Sequence, residues 1–500
     1  MSSIVARLAA MSLVIGVLAA CNGSGGGITG PTPSKPDTAP PPIMREMRGL
    51  WIATVANLDW PSRNTLTADQ QRAELTDILD RAASAGFNAV IFHVRPAGDA
   101  VYASSIEPWG AMLTGTQGVD PGYDPLAFAI EQAHARGLEL HAWINPFRAG
   151  NRADSLKLAA NHFWRTHREV SVVYGSQLWF DPGEQAVQDQ TMRVVLDIVQ
   201  RYDVDGIHAD DYFYPYQEND AQGRLIDFPD SGSYARSGTE LSRADWRRSN
   251  VDRFIERLYR EVHALKPTIK VGISPFGIWR PGNPAGVTGL DAYAEIYADS
   301  RKWLQQGWLD YLAPQLYWPI ASPGQSYPAL LDWWIAQAAA SSKRHVWPGL
   351  ASYRVTDGTS SAFAANEIAS QITLTRSRPE GTGHILFNTT STLRRATGPV
   401  VNSIAPLYTP RALVPAVPWL DASPPPAAPS VSVTGASVQI TPGAGKGARW
   451  WVVRWRTSSG WTTRVLFGSQ RSLTLGTTPE RVLVNAVDQA GNVGPTAHWP

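Results

Sequence analysis

Eight short apolar runs alternate with helical segments along this chain, and that alternation constrains its fold more than any other feature. The runs cover 48–55, 88–96, 138–146, 204–212, 269–276, 311–318, 345–353 and 383–389. Between the first two, Thr67 and Gln70 are spaced as a capping box, Leu75, Ile78, Leu79 and Ala82 recur at helical spacing, and Gly86 ends the segment. The segment before the fourth run repeats the pattern with Val194, Val195, Ile198 and Val199. Eight strands separated by helices, then a stop, predict an α/β fold of the (β/α)8 TIM-barrel type. An open doubly wound sheet would need a Gly-rich phosphate loop after an early strand, and the sequence has none.

The barrel is expected over 45–400, with different material on either side. Arg7 precedes an apolar run, 8–20, that is too short to span a membrane. It ends in Leu18-Ala19-Ala20-Cys21, and Cys21 is the only cysteine of the chain. This resembles a lipoprotein lipobox. The expectation is a signal peptide over 1–21, lipidation at Cys21 and membrane attachment through that lipid. Asn22, where Asp would signal retention in the inner membrane, points to the outer membrane facing the periplasm. Residues 22–44 are rich in Gly, Ser, Thr and Pro and read as a tether. Residues 401–430, with Pro424-Pro425-Pro426, read as a second linker. Residues 431–500 show short β runs and predict a small fibronectin type III- or immunoglobulin-like sandwich. Trp450, Trp451, Trp455 and Trp461 are assigned to its core and to an interface with the barrel.

Lys plus Arg number 44 and Asp plus Glu 43, a net charge of +1, so there is no basic footprint for nucleic acid. A lone cysteine excludes an internal disulfide and a thiolate metal site. The 20 Trp and 16 Tyr matter more, because a sugar ring offers a C–H face to an aromatic ring and hydroxyls to polar neighbours.

Active sites of such barrels form where the strands end. The first run brings Trp51, the second His93 and Arg95, and the third His141, Trp143, Asn145 and Arg148. The fourth brings His208, Asp210, Asp211 and Tyr212; the sixth Gln315, Tyr317 and Trp318; the seventh Tyr353; the eighth Asn388. Glycoside hydrolysis needs two carboxyl groups, or one plus a group of the substrate. Asp210 shares strand parity with His208 and so faces the barrel axis, which gives it the central role. Its partner is left open among Asp211, if the strand bends, Asp181 and Asp230. The other residues named are expected to bind substrate, with Trp143 and Trp318 as stacking platforms and Arg95 and Arg148 reaching a lactyl carboxylate or hydroxyls.

Met47-Arg48-Gly49-Leu50-Trp51-Ile52-Ala53-Thr54-Val55 with Asp59-Trp60-Pro61, Val94-Arg95-Pro96, 141–146, Asp181-Pro182-Gly183, 206–215, 314–318 and Ala412-Leu413-Val414-Pro415 resemble the glycosyl-hydrolase-like family 10 proteins, which are distinct from the family 10 xylanases. The resemblance covers about 45–420 and implies a barrel glycosidase of the bacterial envelope, acting on peptidoglycan glycan, including strands stripped of peptide, or on a related polysaccharide. Glu184 departs from the Pro-Glu expected after the Asp-Pro-Gly motif and receives no role. No cofactor or metal is expected. Two alternatives stand beside this reading. One is a metal-dependent deacetylase using His93, His141, His208 and Asp210, although no two of these His have short ligand spacing. The other is a glycan-binding lipoprotein without activity.

Overall fold

The computed structural model describes residues 39–394 and 398–500. Cys21, the signal peptide over 1–21 and the tether up to residue 38 lie outside the described residues. The eight expected runs form parallel strands: β1 Met47–Ile52, β2 Ala89–Arg95, β3 Glu139–Ile144, β4 Gly206–Ala209, β5 Lys270–Ile273, β6 Tyr311–Leu312, β7 His345–Val346 continuing as Gly349–Ala351, and β8 Gly383–Phe387. Their neighbours run β7-β6-β5-β4-β3-β2-β1-β8-β7, because the first half of β7 pairs with β6 and the second half with β8. The curled parallel sheet therefore comes round to the strand it began with, a TIM-barrel-like fold.

Helices α1 Ala68–Ala85, α2 Pro125–Ala135, α3 Gln185–Arg201, α4 Arg243–Leu265, α5 Ser300–Gln306, α6 Tyr327–Ala339, α7 Glu367–Arg376 and α8 Pro399–Tyr408 follow the strands. Thr67 and Gln70 form the capping box of α1, and Gly86 closes it at φ 93°. Leu75, Ile78, Leu79 and Ala82 of α1 and Val194, Val195, Ile198 and Val199 of α3 are buried against the sheet. Each such large side chain contributes about 1.5–3 kcal/mol by leaving water.

Between β3 and β4 the chain makes an antiparallel excursion of three strands, Arg148–Asn151, Ser171–Tyr174 and Gln177–Phe180, which the sequence reading had not separated. It carries Arg148 out over the strand ends and returns at Asp181.

Residues 401–430 are not a free linker. Pro399 sits in the first turn of α8, where a missing N–H costs nothing, and Val400, Ile404 and Tyr408 are buried. Ala412–Leu413 then pairs in parallel with Met44–Arg45, and the Val417 N–H donates to the Ala490 carbonyl at 2.8 Å. Apolar spacing in this segment outweighs its proline content.

The C-terminal part forms two antiparallel sheets. One contains β9 Ser430–Thr434, β10 Ser437–Thr441 and β13 Ser472–Thr474; the other orders β12 Gly460–Phe467, β11 Trp450–Thr457, β14 Arg481–Val487 and β15 Val493–Trp499. Trp451 lies in the core between them, whereas Trp450 packs with Leu413, Val452 and Val487 toward the barrel. At this seam Arg449 pairs with Asp203 and with fully buried Asp205, each at 2.6 Å. Burial alone would raise the Asp205 carboxyl, but Arg449 and His134 hold it well below the usual range. A groove of about 750 Å³ opens beside the seam, next to Asn88 and Gly137, which precede β2 and β3. It therefore lies at the opposite end of the barrel from the strand C-termini.

Candidate active site

The site is built on the end of β4. Regular strand stops at Ala209 and the chain bends at Asp211, so alternation no longer sends neighbouring side chains to opposite faces. Asp211 turns to accept hydrogen bonds from the Tyr216 hydroxyl and the Gln315 amide. Gln315 is itself held by its Nε2 donating to the Ser274 carbonyl at 3.0 Å. Gly277 makes this arrangement possible, since a Cβ there would stand 2.2 Å from the Gln315 carbonyl and 2.9 Å from the Trp318 ring.

Protein crowds the Asp210 carboxyl, and the residue as a whole is partly exposed. Its carboxyl is pushed well above the usual range, first by burial and then by the adjacent Asp211 charge; Arg148 and the N–H groups of Asp211 and Tyr212 offset only part of this. Asp211 is 3% exposed, and burial raises it to about 6 despite donation from Tyr216, Gln315 and its own backbone N–H. Carboxyls this close titrate as a pair. Of the two, Asp210 is pushed the more strongly toward its protonated form.

Half-exposed rings surround the pair. Tyr212 lies 6.2 Å from Tyr216, Tyr216 6.5 Å from Phe276, and Phe276 5.7 Å from Trp318. Tyr317, Tyr353 and Phe387 form a second group with centroids 6.0–6.3 Å apart. Arg148, partly exposed, bonds the Tyr212 side chain, and its buried Nε has no partner among the described residues. The structure thus brings together Asp210, Asp211, Tyr212, Arg148, Gln315, Tyr317, Trp318 and Tyr353.

Other expected site residues sit elsewhere. Asp181 accepts from Ser233 and the Gly183 N–H, and burial raises its carboxyl to about 6. Asp230, 1% exposed, is ion-paired with Arg243 and, at 2.7 Å, with Arg247. These two carboxyls belong to a network around the short helix Ser231–Ser237. Glu184 pairs with Arg236.

Several expected substrate contacts are buried supports. Arg95, fully buried, clamps Glu107 through Nε at 2.8 Å and Nη2 at 2.5 Å. Asn145, also fully buried, accepts from the Arg148 N–H at 2.8 Å and so positions that arginine. Trp143, 1% exposed, is stacked on His93 at 3.8 Å and is no open platform. Trp51, 4% exposed, lies edge-on between His208 and Phe387. The Asn388 Oδ1 accepts from the Ser391 N–H at 3.1 Å. His141 and His208 are enclosed, and their Nδ1 atoms converge on the Tyr311 hydroxyl at 2.7 and 2.8 Å. That convergence turns the imidazoles away from a shared ion, and no group of three His, Cys, Asp or Glu side chains suited to a metal occurs among the described residues.

On the ends of β1–β3, buried Trp51 Nε1, Thr54 Oγ1, His93 Nδ1, Trp143 Nε1 and Asn145 Nδ2 have no hydrogen-bond partner among the described residues. Buried polar atoms are normally paired, so the floor retains unmet bonding capacity. Sequence reasoning missed Tyr216 and Phe387. Tyr216 carried a signal, the aromatic run 212–216, but strand parity could not place it once the strand had ended.

The family model for glycosyl hydrolase-like 10 matches residues 46–364. The glycosyl hydrolase YngK of Bacillus subtilis is 39% identical over 386 residues, covering 75% of this chain and 74% of its own. The glycosyl hydrolase DigH of Escherichia coli K12 is 36% identical over 389 residues, covering 72% and 87%. Among solved structures, the PgaB glycoside hydrolase domain from Bordetella bronchiseptica superposes with a TM-score of 0.48 at 13% identity, over 73% of this chain and 98% of that one. The chain belongs to the glycosyl hydrolase-like 10 family and is a glycoside hydrolase.

Proposed function

We propose that this glycosidase cleaves the glycan strands of peptidoglycan, including strands stripped of peptide, by a substrate-assisted mechanism. The observation that carries the reading is the adjacent pair Asp210 and Asp211, both carboxyls raised by burial and Asp210 the more strongly, at a mouth lined by half-exposed rings. Asp210 acts as the general acid and gives its proton to the glycosidic oxygen as the C–O bond breaks. The acetamido oxygen of an N-acetylated sugar attacks the anomeric carbon from the opposite side. Positive charge develops on the acetamido group, whose N–H is held by the Asp211 carboxylate. Asp210, now ionised, takes a proton from the water that opens the ring, and the anomeric configuration is retained. The mechanism needs only two carboxyls with opposed protonation, which suits a site where Asp181 and Asp230 are committed elsewhere.

Trp318 and the mouth tyrosines suit sugar faces, the unpaired polar atoms of the floor suit hydroxyl and acetamido groups, and Arg148 suits a lactyl carboxylate. The Leu18-Ala19-Ala20-Cys21 motif supports a lipid anchor, with residues 22–44 as tether and the outer membrane, facing the periplasm, as location. The test compares N-acetylated glycan strands with the same strands chemically de-N-acetylated. Cleavage of the first alone, with the product anomer retained by proton NMR, is expected. Equal cleavage of both, or an inverted anomer, rules the mechanism out.

A further inference from the structure

A buried hydrogen-bonded chain runs through the barrel beneath the carboxyl pair. It starts where Lys270 Nζ meets both carboxylate oxygens of Glu139 at 3.0 Å. Glu139 Oε2 lies 3.1 Å from His141 Nε2, and His141 Nδ1 lies 2.7 Å from the Tyr311 hydroxyl. That hydroxyl is 2.8 Å from His208 Nδ1, and His208 Nε2 is 3.0 Å from Ser274 Oγ. Tyr311, His141 and His208 are fully buried and Ser274 is 1% exposed. Two glycines make room for it. A Cβ on Gly206 would stand 2.7 Å from His141 Nδ1, and one on Gly272 would stand 2.0 Å from the Tyr311 ring.

With both imidazoles in the neutral form, donor and acceptor inventory sets the direction of each hydrogen in this chain. Glu139 and Lys270 form a buried ion pair, and burial holds His208 well below its usual range. The Glu139 carboxylate has no hydrogen to give, so His141 carries one on Nε2 and accepts at Nδ1. The Tyr311 O–H donates to His141 and its oxygen accepts from His208 Nδ1–H. His208 Nε2 is then an acceptor, and the Ser274 O–H donates to it.

Ser274 is where this chain meets the acid pair. Its N–H donates to the Ala209 carbonyl at 2.9 Å, and its carbonyl holds Gln315, whose amide also reaches Asp211. The register pairs His208 with Gly272 and Ala209 with Ile273, so one step further sets Ser274 beside Asp210. We propose that Tyr311 is a positioning residue for the Asp210–Asp211 pair: through His208 it commits the Ser274 hydrogen downward, leaving Ser274 to offer only lone pairs to the mouth, where they favour the proton on Asp210. This rests on Asp210 being the acid.

The test uses Tyr311→Phe in the full-length protein, which keeps the ring over Gly272 and removes one oxygen. His208 Nδ1–H then loses its acceptor, the ring adopts the Nε2–H tautomer, and the Ser274 hydrogen is released. Expected results are a switch of the His208 nitrogen signals from Nδ1–H to Nε2–H by ¹⁵N NMR, and a fall in kcat of about tenfold, less than the roughly 10²–10⁴-fold of losing the acid itself, with KM nearly unchanged. Ser274→Ala should lose kcat similarly and Ser274→Thr should recover it, so the question is decided even if Tyr311→Phe fails to fold. A native His208 already in the Nε2–H form overturns the proposal. So does a wild-type kcat in folded Tyr311→Phe or in Ser274→Ala. If the native enzyme cleaves no glycan, the reading of the mouth fails instead, while the tautomer measurement still decides the chain.

Discussion

Replacing Tyr216 with Phe removes one hydroxyl and leaves the ring that packs between Tyr212 and Phe276. That hydroxyl donates to the Asp211 carboxylate and is one of two side-chain donors holding it near 6 against the upward push of burial. A hydrogen bond to a buried charge contributes about 1.5–3 kcal/mol, and one pKa unit is about 1.4 kcal/mol, so the loss moves Asp211 up by about one to two units. The sign follows from the bond favouring the ionised form. Mechanistically Asp211 must be charged, so the acidic limb of the kcat profile moves from near 6 to about 7–8. At pH 6 the ionised fraction falls from about a half to between roughly a tenth and a hundredth, a loss of about five- to fiftyfold, while the plateau at higher pH is largely kept. Steady-state rates on soluble glycan strands across pH 4–10 give the answer. An acidic limb that stays where the wild type has it would refute the assignment of charge to Asp211.

Other consequences can be checked separately. Arg449→Ala strands the Asp205 carboxylate at the seam and is expected to cost about 3–5 kcal/mol in urea unfolding, a cost that Asp205→Asn in the same chain should partly relieve. Trp318→Ala at the open mouth should weaken glycan binding by about 1 kcal/mol in calorimetry. Gly272→Ala drives a methyl into the Tyr311 ring and should destabilise by about 1–3 kcal/mol or more, a cost that Tyr311→Phe does not relieve because the clash is with ring carbons.

The barrel was legible because its signal is periodic. Apolar spacing in α1 and α3 and the caps at Thr67 and Gly86 are local, and each element reports itself independently of the rest. The inward face of β4, with buried His208, was legible for the same reason, since the strand keeps its alternation as far as Ala209. What followed was not. The bend that turns Asp211 toward Gln315 depends on contacts with β6, about a hundred residues away in sequence, and no local pattern encodes it. Parity along β3 put His141, Trp143 and Asn145 on the axis but said nothing of depth, and depth separates a buried support from an open platform. Asp181 and Asp230 looked available because their partners, Ser233, Arg243 and Arg247, come from a loop and a helix whose approach cannot be read from spacing. Proline content made 401–430 look extended, although Val400, Ile404 and Tyr408 already held a helical face.

One experiment bears most directly on the claim that a proton on Asp210 breaks the glycosidic bond. Peptide-stripped and intact peptidoglycan are incubated with the native protein and with Asp210→Asn, and the soluble products are analysed by mass spectrometry. Native enzyme should release glycan fragments, and the variant, unable to donate, should bind the same strands and release none beyond background. Fragments appearing at the native rate from Asp210→Asn would contradict the account.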